Sequence, residues 1–180
     1  MSIKQLLRIP AAALLILGLA QVACAQSTQV TTEYLMTYKG ELAAPDKIND
    51  AFMVVNVRGP GWIKGPKIRG RFIAPGGDWL RIMPSGALRL DVRATIRTDD
   101  GALIFFSYNG ILQLDPATLE RLMKGETLRG KDIPYFITAP TFETSAPQYA
   151  WLNGVQAVNK VVELKFGEDG YVIYDTFILR

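Results

Sequence analysis

The chain reads as an all-β protein: a single antiparallel β-barrel of about eight strands, lipocalin- or streptavidin-like, with one short helix. Three observations carry that reading. Segments with a period of two recur from Gln29 to the C-terminus, divided by short turns rich in Gly, Pro and Asp. Only one stretch, opening at Asp115-Pro116, changes to a helical period. The length left after an N-terminal leader suits one closed sheet, and closure removes the edges that an unpaired strand would expose.

The leader is residues 1–25. Lys4 and Arg8 form its basic region, Ile9 to Ala23 its apolar region, and Ala23-Cys24-Ala25 a small-residue cleavage site before Gln26. This is the pattern of a secretory signal peptide, which predicts a periplasmic or secreted protein, and the apolar run is too short to span a bilayer as a helix. Lipidation of Cys24 is the competing reading; Gln21 stands where a lipobox usually has Leu, which favours ordinary cleavage. Of 180 residues, removal of 25 leaves 155 in a domain covering residues 26–180.

The elements follow in order. Gln29 to Tyr38 alternates, with Thr32, Tyr34, Met36 and Tyr38 on one side. Ala51 to Val57 is a β-branched strand, Arg58 to Gly65 a turn region, and Lys67 to Ile73 a short strand. Ala74 to Asp78 reads as a sharp turn with Gly76 and Gly77, after which Trp79 to Ile82 resumes extended structure. Ala87 to Arg97 is the cleanest strand: Leu88, Leu90, Val92, Ala94 and Ile96 share one face, and Arg89, Asp91, Arg93, Thr95 and Arg97 the other. Thr98-Asp99-Asp100-Gly101 turns the chain into a partner strand over Ala102 to Ile111. Asp115 caps the helix, Pro116 sits at its first position, Leu119, Leu122 and Met123 share its face, and Gly125 ends it. Tyr135 to Phe142, Ala150 to Phe166 (one long or broken strand) and Tyr171 to Leu179 complete the sheet.

Composition narrows the chemistry. The sequence has no histidine and one cysteine, Cys24, which cleavage would remove. His-based triads, imidazole metal sites, thiolate catalysis and zinc–thiolate sites are thereby excluded from the mature chain. No metal site and no cofactor are expected. Loss of Lys4 and Arg8 takes the net charge from +3 to +1, so there is no electrostatic footprint for nucleic acid. A membrane-spanning barrel is disfavoured, because the turns and helix use too many residues and the outward face of Ala87 to Arg97 is charged. No transmembrane segment is expected in the mature chain, and a homo-oligomer is left open.

Four motifs, GPKIRG (Gly65 to Gly70), PGGDW (Pro75 to Trp79), LDVRATIRTDDGALI (Leu90 to Ile104) and YFITAPTFETSAPQYAWLN (Tyr135 to Asn153), resemble the bacterial and fungal family called domain of unknown function 3237. The resemblance runs from about Glu33 to the C-terminus and implies a small lipocalin-like barrel with no settled activity. Ile137 stands where members often carry Arg after the Tyr-Phe pair, and Asn159 where the final strands often carry Gly. The first departure weakens an anion-binding role.

The candidate site centres on Pro140 to Asn153, where Phe142, Glu143, Tyr149, Trp151 and Asn153 cluster around Pro147. A proline bend would let two extended pieces converge. The expected pocket is lined by Trp79, Tyr108, Phe142, Tyr149 and Trp151, with Glu143 and Asn153 as polar groups and Arg93 at its edge. Phe142 and Glu143 are neighbours, so only a twist or bulge lets both reach it. Glu143 is either an acid/base group assisted by Tyr149 or a brace for the loop. Asp91 and Arg93 form either a solvated ion pair or a polar mouth, and Asp78 reads as a turn residue. Two functions are compatible: binding of a small apolar or aromatic molecule, or a cofactor-free isomerase, lyase or hydrolase built on Glu143.

Overall fold

The computed structural model describes residues 29–180, so the expected leader, the expected cleavage site and Cys24 lie outside the described residues. The chain forms β1 (Thr32–Glu41), β2 (Asp46–Asn49), β3 (Phe52–Asn56), β4 (Trp62–Lys64), β5 (Arg69–Ile82), β6 (Leu88–Thr98) and β7 (Leu103–Gln113). Then come α1 (Pro116–Met123), β8 (Leu128–Arg129), β9 (Tyr135–Glu143), β10 (Ala157–Lys165) and β11 (Tyr171–Leu179), with 3-10 turns at Gly130–Asp132 and Pro147–Gly154.

β3 and β4 act as one interrupted strand. β3 pairs with β5 from Phe52↔Arg81 to Asn56↔Gly77, β4 pairs with it at Ile63↔Gly70, and β4 also pairs with β1. Counted so, eight antiparallel strands follow one another around the ring in chain order, and β11 closes on β1. This is the eight-stranded antiparallel barrel that the patterning predicts. β2 extends β3 beyond the ring. β9 and β10 meet only through Asn159↔Thr138 and Lys160↔Ile137, and β8 pairs β10 further along.

β6 and β7 keep the expected hairpin register without a break, from Leu88↔Leu112 to Arg97↔Leu103. Gly101 takes φ +90° in the turn, a conformation that L side chains rarely adopt. Leu90, Val92, Ala94 and Ile96 are buried inside the barrel, Arg89, Arg93 and Arg97 are exposed outside it, and Leu88 is half-buried at the strand end. Leu90→Ala should therefore cost about 2–5 kcal/mol of stability. A loss well below 1 kcal/mol in urea melts would contradict this packing. Below Leu90 the interior is filled by rings, with Phe106 at the centre against Tyr38, Phe72, Tyr108 and Phe142.

The helix begins as its sequence predicts. Thr118 N–H donates to Asp115 Oδ1 at 2.9 Å, and Gly125 follows the last turn at φ +79°. Its apolar face is narrower than expected: Leu122 is buried, whereas Leu119 and Met123 are exposed. Three further segments differ from the sequence reading. In β1 a register shift between Tyr34 and Met36 buries the neighbours Leu35 and Met36 together and leaves Tyr34 exposed. Ala74 to Asp78 does not turn the chain. β5 runs through it, and the glycines absorb a bulge between Ile73 and Gly77 while pairing with β6 resumes on both sides. Residues 147–154 are helical rather than extended, so the strand expected from Ala150 begins only at Ala157.

Candidate functional site

The barrel is open at one end onto a cavity of about 60 Å3. Leu42, Val57 and Phe166, all half-exposed, lie toward its mouth, and Val55, Leu80, Leu90 and Leu112 form its apolar walls. Gly40 and Gly77 also line it, and the absence of a side chain at Gly40 leaves space beside Val172. Four polar side chains reach it: Asp78 from β5, Tyr38 from β1, Tyr108 from β7 and Tyr174 from β11. Neither Lys nor Arg is among its lining residues.

The β5 bulge explains Asp78. Beyond it the strand regains a period of two, so Asp78 and Leu80 turn inward while Trp79 and Arg81 turn outward. Asp78 is 9% exposed, and its Oδ1 accepts the Asp91 N–H at 2.9 Å. Burial pushes its carboxyl up to about 6; the Asp91 N–H pulls the other way, and the Asp91 charge adds slightly to the rise. Burial likewise raises the Tyr108 phenol, and the nearby Asp78 charge reinforces it. The Tyr38 and Tyr174 phenols also lie well above the ordinary tyrosine range, chiefly through burial.

A buried polar network stands behind one of these tyrosines, Tyr38. Asn159, fully buried on β10, donates from Nδ2 to Tyr38 Oη at 2.9 Å and to Thr138 Oγ1 at 2.8 Å. Its Oδ1 accepts the Thr176 hydroxyl at 2.7 Å. Asn159 thus has donors and acceptor engaged, as burial demands. Tyr174 differs. Its ring packs 5.4 Å from Tyr38 and 5.3 Å from Phe136, and its hydroxyl is buried with no partner at hydrogen-bond geometry among the described residues, although the Tyr108 hydroxyl lies near enough to help raise it.

The sequence-predicted site residues do not converge. Tyr108 alone lines the cavity. Phe142 is buried against Phe106 at 5.4 Å, in the packed aromatic interior. Glu143 points outward because β7 and β9 pair without a break from Phe105↔Glu143 to Gln113↔Tyr135, so the bulge that would turn both residues inward does not form. Glu143 lies instead in a shallow surface depression with Phe105, Thr144 and Asn153. Tyr149 and Trp151 leave the strand geometry altogether on the 3-10 turn. The Tyr149 hydroxyl donates to Asp100 Oδ1 at 3.3 Å, and Trp151 packs half-buried on the core with Lys67 Nζ 5.6 Å from its ring centroid. Asn153 is the loop brace: its Oδ1 accepts the Thr144 N–H at 2.8 Å and its Nδ2 donates to Thr144 O at 2.9 Å. Trp79 and Arg93 stack outside the barrel at 5.2 Å, and Arg93 donates to the outward Asp91 at 3.2 Å. The solvated reading of the Asp91–Arg93 pair is the one observed.

Asp78, Tyr38, Tyr174 and Asn159 are the groups that the candidate list lacked. Asp78 carried a usable signal, since Asp78, Leu80 and Ile82 alternate against Trp79 and Arg81. Asn159 carried another, as an amide between Ala157 and Val161 on an apolar strand face.

Comparison with known proteins places the whole barrel in one family. The family model described as "Protein of unknown function (DUF3237)" matches residues 30–179. The chain belongs to this family. Two UPF0311 proteins are similar to it, one from Clostridium acetobutylicum at 36% identity and one from Rhodopseudomonas palustris at 37%, each over 92 residues, or 51% of this chain. These alignments span 58% and 60% of the two relatives' lengths. The crystal structure of a conserved protein of unknown function from Rhodopseudomonas palustris superposes with a TM-score of 0.76 at 26% identity, covering 84% of this chain and 98% of that one. A "beta-barrel like protein" from Acinetobacter baumannii superposes at 0.67 and 30% identity, with 84% and 97% covered. Among the described residues no helix is long and apolar enough to cross a membrane.

Proposed function

We propose that this barrel binds one small, mainly apolar or aromatic molecule in its open cavity, outside the cytoplasm, where the leader would deliver it. The single supporting observation is the cavity: apolar walls, one open end, and four polar groups that reach it from four strands. That combination suits a ligand whose body is apolar and whose polar end meets Asp78 and the tyrosines. The aromatic cluster beneath keeps the cavity shallow, which favours a compact molecule over a long chain. The outward Glu143, in its open depression, gives no comparable enclosure.

The neutral fluorophore N-phenyl-1-naphthylamine tests this reading. Its emission should rise on mixing with the protein, and a small apolar competitor should reverse the rise. Val57→Trp, a substitution of a half-exposed lining residue, should weaken binding by about tenfold or more while the barrel still melts cooperatively. Equal binding by the wild type and Val57→Trp would move the site elsewhere on the molecule.

A further inference from the structure

We propose that the cavity is a proton-transfer site for small enolisable ketones, with Asp78 as the base that carries the proton and Tyr174 as the donor to the carbonyl oxygen. This rests on the reading of the cavity as a ligand site and adds a reaction to it.

The two groups are complementary in chemistry, and each keeps hydrogen-bonding capacity that the protein does not use. Asp78 engages Oδ1 with one backbone N–H, and Oδ2 has no hydrogen bond among the described residues. Tyr174 is fully buried and lines the same cavity, and its hydroxyl, near that of Tyr108, makes no hydrogen bond of good geometry with the protein. A buried hydroxyl without a partner loses hydration that a packed core would normally replace, so an acceptor brought by a ligand restores what is missing. A carboxylate in an apolar cavity without a cation is likewise uncompensated and attracts a labile proton. Its carboxyl, held near 6 by burial, is poised to take and return a proton close to neutral pH.

The surroundings select the substrate. Without Lys or Arg in the lining, and with Asp78 present, anionic substrates are repelled and a neutral carbonyl compound is admitted. Charge appears only as the reaction proceeds, on the oxygen that meets the phenol, where a preformed donor acts most strongly.

For a β,γ-unsaturated ketone the step balances without a co-reactant. The Asp78 carboxylate takes a proton from the carbon between carbonyl and alkene. The C–H electron pair moves into a dienolate whose oxygen accepts the Tyr174 O–H hydrogen bond. Protonated Asp78 then returns the proton to the far alkene carbon, a new C–H bond forms, the double bond enters conjugation, and Asp78 is again a carboxylate.

The test uses 3-cyclohexen-1-one with the purified full chain. Proton NMR follows its conversion to 2-cyclohexen-1-one, and saturation transfer follows its binding. Conversion should exceed the buffer rate, and Asp78→Asn should lower it by about 100-fold or more. Tyr174→Phe should lower kcat by about 10-fold or more with little change in KM, because the lost hydrogen bond matters most in the dienolate. Binding of the ketone with wild-type and Asp78→Asn rates equal would overturn the proposal and leave the binding reading intact. Binding of N-phenyl-1-naphthylamine but not of the ketone would also overturn it, and binding of neither would remove both readings. If Asp78→Asn does not fold, an undiminished kcat in Tyr174→Phe overturns the assignment of the donor.

Discussion

Phe106→Ala should lower the unfolding free energy by about 3–5 kcal/mol, among the larger losses available from one substitution in this chain. Phe106 is 1% exposed, and its ring centroid lies 5.5 Å from Tyr38, 5.9 Å from Phe72, 5.4 Å from Tyr108 and 5.4 Å from Phe142. These partners come from three other strands, β1, β5 and β9, as well as from β7 itself, so the barrel cannot collapse onto the void without moving several strands. The residual hole would also adjoin the floor of the open cavity, because Tyr38, Phe72 and Tyr108 line both. Urea denaturation provides the measurement. A loss below about 1 kcal/mol would show that the centre repacks freely and that the ring cluster is not the mechanical core.

Asp78→Asn should do the opposite at neutral pH and stabilise the barrel. In the folded protein burial holds the Asp78 carboxyl up to about 6, whereas an unfolded aspartate titrates near ~3.9. The folded state therefore binds more protons between those values, and the wild type loses stability as pH rises from about 4 through about 6. The loss approaches about 3 kcal/mol at pH 7, where the buried carboxylate must ionise. The asparagine carries no charge and keeps an acceptor for the Asp91 N–H, so the gap between variant and wild type should open with rising pH over that window and close below pH of about 4. Asp91, Tyr108 and Tyr174 are the titratable groups facing Asp78, and all three remain in the variant. Glu33, exposed and held down to about 2 by Lys67 and Arg180, acts with the reverse sign but equally in both proteins, so the difference cancels it. A gap independent of pH between about 4 and 7 would mean that Asp78 is better solvated than its burial implies. Under the proposed reading, a carboxylate that costs the fold stability at neutral pH lies where a ligand would meet it.

How far the chain could be read depends on how local each determinant is. The β6–β7 hairpin was legible in full, because alternation, an Asp-Gly turn and equal strand lengths all lie within residues 88–112. Helix α1 was legible at both ends, since its cap and its terminal glycine are local signals, but not in its buried face, which depends on what the helix lies against. Pro75-Gly76-Gly77 was misread for a physical reason. The residues that make a turn also permit a bulge, and only the uninterrupted partner β6 distinguishes the two. That one misreading hid Asp78. The cluster from Phe142 to Asn153 was misplaced because residues 147–154 coil into a 3-10 turn that Thr144 and Asn153 lock through mutual hydrogen bonds, which spacing along an assumed strand does not reveal.

What residue order settled is the barrel and the chemistry it lacks. Period-two alternation with few helical signals commits the chain to a closed antiparallel sheet, and a sequence without histidine cannot present imidazole at any site. Which side chains meet in the cavity was settled by packing in three dimensions. Tyr38, Asp78, Tyr108 and Tyr174 are spread over more than a hundred residues of sequence and come from four different strands. Closure of β11 on β1 brings the first and last of them together, and the bulge in β5 sets the face to which Asp78 points. Alternation tells each strand that it has an inside. Register and shear around the ring decide which insides share one cavity, and those are properties of pairs of strands rather than of any one segment.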